Sequence, residues 1–200
     1  MAKAVRYKTT AVKYKKLPFD NLGRKLFTFL MAELVSIWII ASAALVLLPT
    51  LVPARFTWSG VAMSYGFSSA LVIVALLFSV VPIVILLVSI LRFKIVNNYP
   101  YLMNAPTFYA NAKRIVPSRR GYWVNQYFRT LLVAGVYMSG ILLVLIMEIY
   151  TAASKGYING YLSIIAPVIA IVAVAVLLIL LIKDLYRKMS AEVSGKKRRR

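Results

Sequence analysis

Residues 66–91 read GFSSALVIVALLFSVVPIVILLVSIL, 26 positions without a charge. About 20 apolar residues in helix cross a hydrocarbon core of ~30 Å, so this stretch is long enough to span a bilayer. The same pattern recurs on either side of it. Residues 26–48 are apolar apart from Glu33, residues 130–152 apart from Glu148, and residues 161–182 throughout. The expected fold is therefore an all-α integral membrane protein, a four-transmembrane-helix bundle.

The composition supports that reading. Of 200 residues 62% are apolar, yet the formal charge is +20, from 25 Lys and Arg against 5 Asp and Glu. A soluble domain would not combine the two, and here they separate along the chain. Residues 1–25 carry eight bases, 92–129 carry seven and 183–200 carry eight. The connections 49–65 and 153–160 hold only Arg55 and Lys155. By the positive-inside rule both termini and the central loop are expected on one side, taken as the inner side of a cell membrane or virion envelope. The first span has features of a signal peptide, a basic lead and Ala41-Ser42-Ala43. Its apolar run continues past that site and Glu33 interrupts it, so it is expected to remain a membrane helix.

Local signals place the ends of these elements. Asp20 is an expected N-cap for the first helix, with Phe19 ahead of it as a hydrophobic staple and Gly23 weakening the first turn. Pro49 and Pro53 should end that helix. Residues 49–65 contain Phe56, Trp58 and Tyr65 and are expected to lie in the outer interface. Lys155-Gly156 and Asn159-Gly160 read as turns. In the central loop, Asn104 could cap a short helix with Pro106 in its first turn, ending before Pro117. Phe108, Tyr109, Ala112, Ile115 and Val116 would share one face, with Thr107, Asn111, Lys113 and Arg114 opposite, as in an amphipathic helix on the inner surface. Small residues four apart (Ala32 and Ser36, Ala75 and Ser79, Gly135 and Ser139, Ala166 and Ala170) favour close packing, within the bundle or between copies. Pro82 and Pro167 are expected to kink their helices.

Chemistry is sparse. The chain has no Cys and no His, which removes disulfides, imidazole or thiolate metal sites and His-dependent catalytic triads. The five acids are dispersed, and no glycine-rich phosphate loop, aspartate-rich phosphotransferase pattern or arginine voltage sensor is present. No catalytic residue, cofactor or metal is expected, and the chain reads as a non-enzyme. Glu33 and Glu148 are the intramembrane ionisable groups, and such residues normally have a reason. Glu33 is expected to pair with a base at the inner boundary, such as Arg129, and Glu148 to meet water or Lys155. The bases Lys3, Arg6, Lys8, Lys13, Lys15, Lys16, Lys113, Arg114, Arg119, Arg120, Lys196, Lys197, Arg198, Arg199 and Arg200 exceed what orientation requires. Anionic lipid or nucleic acid is the expected contact.

The primary expectation is a structural membrane protein, homo-oligomeric or embedded in a larger membrane complex. An envelope or portal-like virion protein and an accessory subunit both fit. Composition is compatible with an archaeal source. The alternative is a small oligomeric channel or transporter with Glu33 lining the pathway.

Overall fold

The computed structural model describes residues 13–103, 105–158 and 160–197. Among them, four helices are long and apolar enough to cross a membrane, so the chain reads as membrane-embedded. The first, α1 (Asn21–Leu47), starts as its sequence suggests. The Gly23 N–H donates to Asp20 Oδ1 at 2.8 Å, satisfying an amide that the first turn would otherwise leave free. Phe19 packs over Gly23 so closely that a Cβ there would lie 2.8 Å from its ring, which is why the turn accepts a glycine. Asp20 Oδ2 also accepts from Arg129 at 2.6 Å. Asp20→Ala should therefore lower stability by about 1–2 kcal/mol, and Asp20→Asn, which keeps the cap, should recover most of it. Thermal melting in one detergent checks both. Leu30, Glu33, Ile37, Ala41 and Ala44 then recur at helical spacing as the buried stripe of α1.

Residues 49–65 were expected to be irregular. They contain most of a β-hairpin instead, β1 (Leu51–Phe56) paired antiparallel with β2 (Ala62–Phe67), a departure from an all-α fold. Its turn closes through Gly60 at φ 84°, a conformation that suits a residue without a Cβ. The register slips around Ala54, between the pairs Pro53–Tyr65 and Arg55–Ser64. The hairpin also joins the other connection at this end, since Ile158 N–H donates to Gly60 O at 3.2 Å.

The second span, α2 (Ala70–Ile90), begins later than residue 66 because Gly66 and Phe67 belong to β2. Then come α3 (Arg92–Asn98), a 3-10 turn (Pro100–Met103) and α4 (Pro106–Arg114). Pro106 opens α4 as expected, and the Asn104 cap lies outside the described residues.

The third span is longer than the apolar run. In α5 (Pro117–Lys155), residues 117–129 continue the membrane helix instead of forming loop, since nothing after Pro117 breaks it. Gly156, at φ 72°, ends α5 as the turn signal implied. The last helix, α6 (Gly160–Lys197), likewise runs on through residues 183–197. Asp184 there pairs with Arg187 at 2.9 Å and Lys188 at 2.6 Å. Pro82 and Pro167 both lie within continuous helices.

Small residues bring α1, α2 and α5 together. A Cβ on Gly135 would stand 2.9 Å from Ile85 and 3.4 Å from Leu30, so that approach requires glycine. Ala75, Ser79 and Ser139 are buried in the same bundle. The Ala32 and Ser36 pair lies outside the bundle's own packing: Ala32 is exposed, Ser36 bonds back to the Ala32 carbonyl at 2.9 Å, and Ala41 and Ala44 provide the close contact on α1. α6 packs differently. Only 6% of its apolar window is buried, against 28% in each of the other three.

Candidate functional site

One end of the bundle is built as a folded platform. Tyr14 from the arm, Phe93 and Val96 from α3, Phe108 and Ala112 from α4, Trp123 and Phe128 from α5 and Met189 from α6 form a single apolar core. The amphipathic face of α4 was read correctly but its cover was not. Phe108 and Ala112 are fully buried against protein, because α5 and α6 extend past the membrane run to meet them.

Polar contacts fasten the arm to this core. The Tyr14 N–H donates to Asn97 Oδ1 at 2.8 Å, and Asn97 Nδ2 donates back to the Tyr14 carbonyl at 3.1 Å. Arg92 is 9% exposed and reaches three elements. It donates to Asn125 Oδ1 at 2.8 Å, to the Ser89 carbonyl at 2.8 Å and to the Leu17 carbonyl at 2.9 Å, and stacks 3.7 Å from the Phe19 ring. Burial lowers the Arg92 guanidinium from its ordinary pKa, and burial, opposed by Arg120, raises the Tyr14 phenol. A Cβ on Gly121 would meet the Lys15 carbonyl at 2.5 Å, so the arm lies directly on α5.

The bases singled out from sequence separate on this platform. Lys13, Lys15, Lys16, Lys113 and Arg114 are exposed. Arg119 is committed to Glu192 at 3.0 Å, and Glu192 also accepts from Trp123 Nε1 at 3.1 Å. Arg120 is half-buried and donates to the carbonyls of Ala112, Lys113 and Ile115, closing the C-terminal end of α4. Lys196 and Lys197 lie in the last turn of α6. Lys3, Arg6, Lys8, Arg198, Arg199 and Arg200 fall outside the described residues.

The acids at this end are all engaged. Asp20 holds Arg129, Glu192 holds Arg119, and Asp184 holds Arg187 and Lys188. The exposed bases Lys13, Lys15, Lys16, Arg24, Lys25, Lys94, Lys113, Arg114 and Lys183 have no ion pair among the described residues.

Neither intramembrane carboxylate makes the ion pair named for it. Arg129 pairs with Asp20 and not with Glu33. Glu33 instead lies against Gly140, 3.2 Å from where a Cβ would stand, and Gly140 is 11 residues beyond Arg129, about 16 Å along α5. Glu33 is 7% exposed, and its Oε2 has no hydrogen-bond partner. Glu148 makes no ion pair with Lys155 among the described residues, and its Oε2 is also buried and unpartnered. Both acids line one cleft of about 510 Å³ between α1, α5 and α6. Tyr137, Gly140, Ile141, Val144 and Glu148 line it at helical spacing, the signal by which the α5 wall could have been found.

No protein-family model matches the chain, and no solved structure matches it. A protein of Archaeoglobus fulgidus, described as uncharacterized, is 32% identical over 139 residues, covering 70% of this chain and 76% of that protein.

Proposed function

We propose a non-enzymatic, structural role for this chain, which belongs to the same family as the Archaeoglobus fulgidus protein: a membrane-anchored basic platform that holds the phosphate headgroups of anionic lipid on the inner side. One observation carries the reading. Every acid at the platform end is neutralised within the fold, while nine exposed bases there are left without an ion pair among the described residues. Lys13, Lys15, Lys16, Lys94, Lys113, Arg114 and Lys183 sit on elements packed into one core, so their positions are fixed by the fold. Arg24 and Lys25 occupy the first two turns of α1 and Lys94 follows α2 directly, next to helices that enter the membrane. Bases so placed feel the surface potential of the adjacent leaflet and contribute about 1 kcal/mol each. Assembly with further copies, where it occurs, would use α6, since Gly135, Ser139, Ala75 and Ser79 are already enclosed within the protomer.

Native mass spectrometry in neutral detergent, with phosphatidylglycerol and phosphatidylcholine as competing ligands, tests this. The wild type should prefer phosphatidylglycerol, and the preference should weaken as salt rises. Exchanging Lys13, Lys15, Lys16, Lys113 and Arg114 together for Gln should reduce it at least tenfold. Tighter, salt-sensitive binding of a short DNA duplex would reassign the face to nucleic acid. Equal affinity for both lipids and no DNA binding would end the proposal.

A further inference from the structure

The basic platform leaves Glu33 and Glu148 without a role. Glu33 sits on the buried stripe of α1, and it has no ion pair among the described residues, the Arg129 side chain being held by Asp20. The Ser139 hydroxyl on α5 is close enough to interact with it, but a carboxylate without a base in apolar surroundings is costly, and such groups inside a membrane span generally answer to a charge or a proton. The cleft beside it brings a second acid, Glu148, about 12 Å further along α5 by helical rise from Gly140. Across the cleft α6 presents Ala166, Pro167 and Ala170, small side chains that leave the volume open. The lining contains two acids and no base, and is otherwise almost wholly apolar. It is an open cleft whose volume of about 510 Å³ has room for a drug-sized molecule.

These features select a ligand by exclusion. An anion would meet two carboxylates. A neutral apolar molecule would leave Glu33 Oε2 as orphaned as before. A small hydrated cation would have to shed its water into an apolar lining that offers few oxygen ligands. A cation whose charge is carried on an apolar body satisfies both the acids and the walls. We propose that the cleft between α1, α5 and α6 is a binding site for a lipophilic organic cation, with Glu33 as its counter-ion and Glu148 drawing positive charge toward the hairpin end. This site is independent of the platform and goes beyond the lipid-binding reading.

The probe is radiolabelled tetraphenylphosphonium, titrated by equilibrium dialysis against the full chain in nanodiscs of neutral phosphatidylcholine, with empty nanodiscs subtracted. Saturable binding is expected, weakened at least tenfold by Glu33→Gln and by a smaller factor by Glu148→Gln. Ala170→Phe keeps both acids but fills the cleft, and should also weaken binding at least tenfold. Ala170 is only half-buried, so that variant carries the test even if the Gln substitution at Glu33 fails to fold. Uncharged triphenylphosphine oxide should not compete. The five-base Gln variant of the platform should bind the probe like wild type, which separates failure of this site from failure of the platform. Absence of saturable binding to the wild type, or unchanged binding in well-folded Glu33→Gln or in Ala170→Phe, overturns the site.

Discussion

Arg92→Ala is expected to cost roughly 2–5 kcal/mol of stability, the cost of leaving buried acceptors without a donor. The partners of Arg92 are all neutral: Asn125 Oδ1, the carbonyls of Ser89 and Leu17, and the Phe19 ring. Its charge is therefore solvated by dipoles and by one aromatic face, without a carboxylate among those contacts. Truncation would strand Asn125 Oδ1 and the Ser89 carbonyl in a buried site, and each unsatisfied group alone costs about 1–3 kcal/mol, while the Leu17 carbonyl keeps Asn125 Nδ2 at 3.4 Å. The Ser89 carbonyl belongs to the last turn of α2, where the helix cannot supply a donor of its own. Arg92→Lys should recover little, because an ammonium cannot reach three diverging acceptors with a planar fork. Tryptophan fluorescence during heating in detergent reads the effect, since Trp123 lies in the affected core. A double-mutant cycle with Asn125→Ala should be strongly non-additive. Melting of Arg92→Ala within a degree or two of wild type would show that the network is incidental.

The membrane spans were legible because a bilayer imposes a simple rule on sequence, length without charge, and residues 66–91 obey it with no help from neighbours. What the sequence concealed depends on contacts between distant segments. Arg92 counts toward the one-sided basic charge just as Lys94 does, yet Lys94 is exposed while Arg92 is enclosed by the arm and α5. Arg119 and Arg120 look like an exposed pair, yet one answers to Glu192, 73 positions away, and the other closes α4. The α4 face was visible as a face because periodicity is local. Whether lipid or protein covers it was not, since that depends on where α5 and α6 stop being helical. Neither stops at the membrane run. Glu33 was identified as significant for being acidic within an apolar run, but its neighbour was misjudged, since sequence offers many bases and only the rise of α5 separates Arg129 from Gly140. The hairpin was missed because its six-residue strands contain Pro53 and Gly66, two residues that ordinarily argue against strand.

Phe108→Ala should release the arm while leaving the spans in place, at a cost of about 3–5 kcal/mol for a fully buried phenylalanine. Phe108 is 0% exposed at the centre of the platform core. Its ring stacks on Tyr14 at 6.5 Å and meets Tyr109 at 5.5 Å and Tyr127 at 5.3 Å. All four of these rings lie outside the apolar run of α5, so the cavity opens in the platform and not among the spans. The arm's other attachments are chiefly the pair of Tyr14–Asn97 hydrogen bonds, Arg92 on the Leu17 carbonyl, and Asn125 Nδ2 on the carbonyls of Leu17 and Pro18. Limited trypsin digestion in detergent should therefore cut after Lys15 and Lys16 much faster than in wild type, while the fragment from residue 17 onward stays helical by circular dichroism. Phosphatidylglycerol preference should fall in the same variant, although no base has been changed, because Lys13, Lys15 and Lys16 would no longer be held against α5. Phe108→Leu, which fills most of the cavity, should restore much of both properties. If digestion at the arm is unchanged in Phe108→Ala, the basic residues are not displayed by the core, and the platform reduces to a set of independent charges.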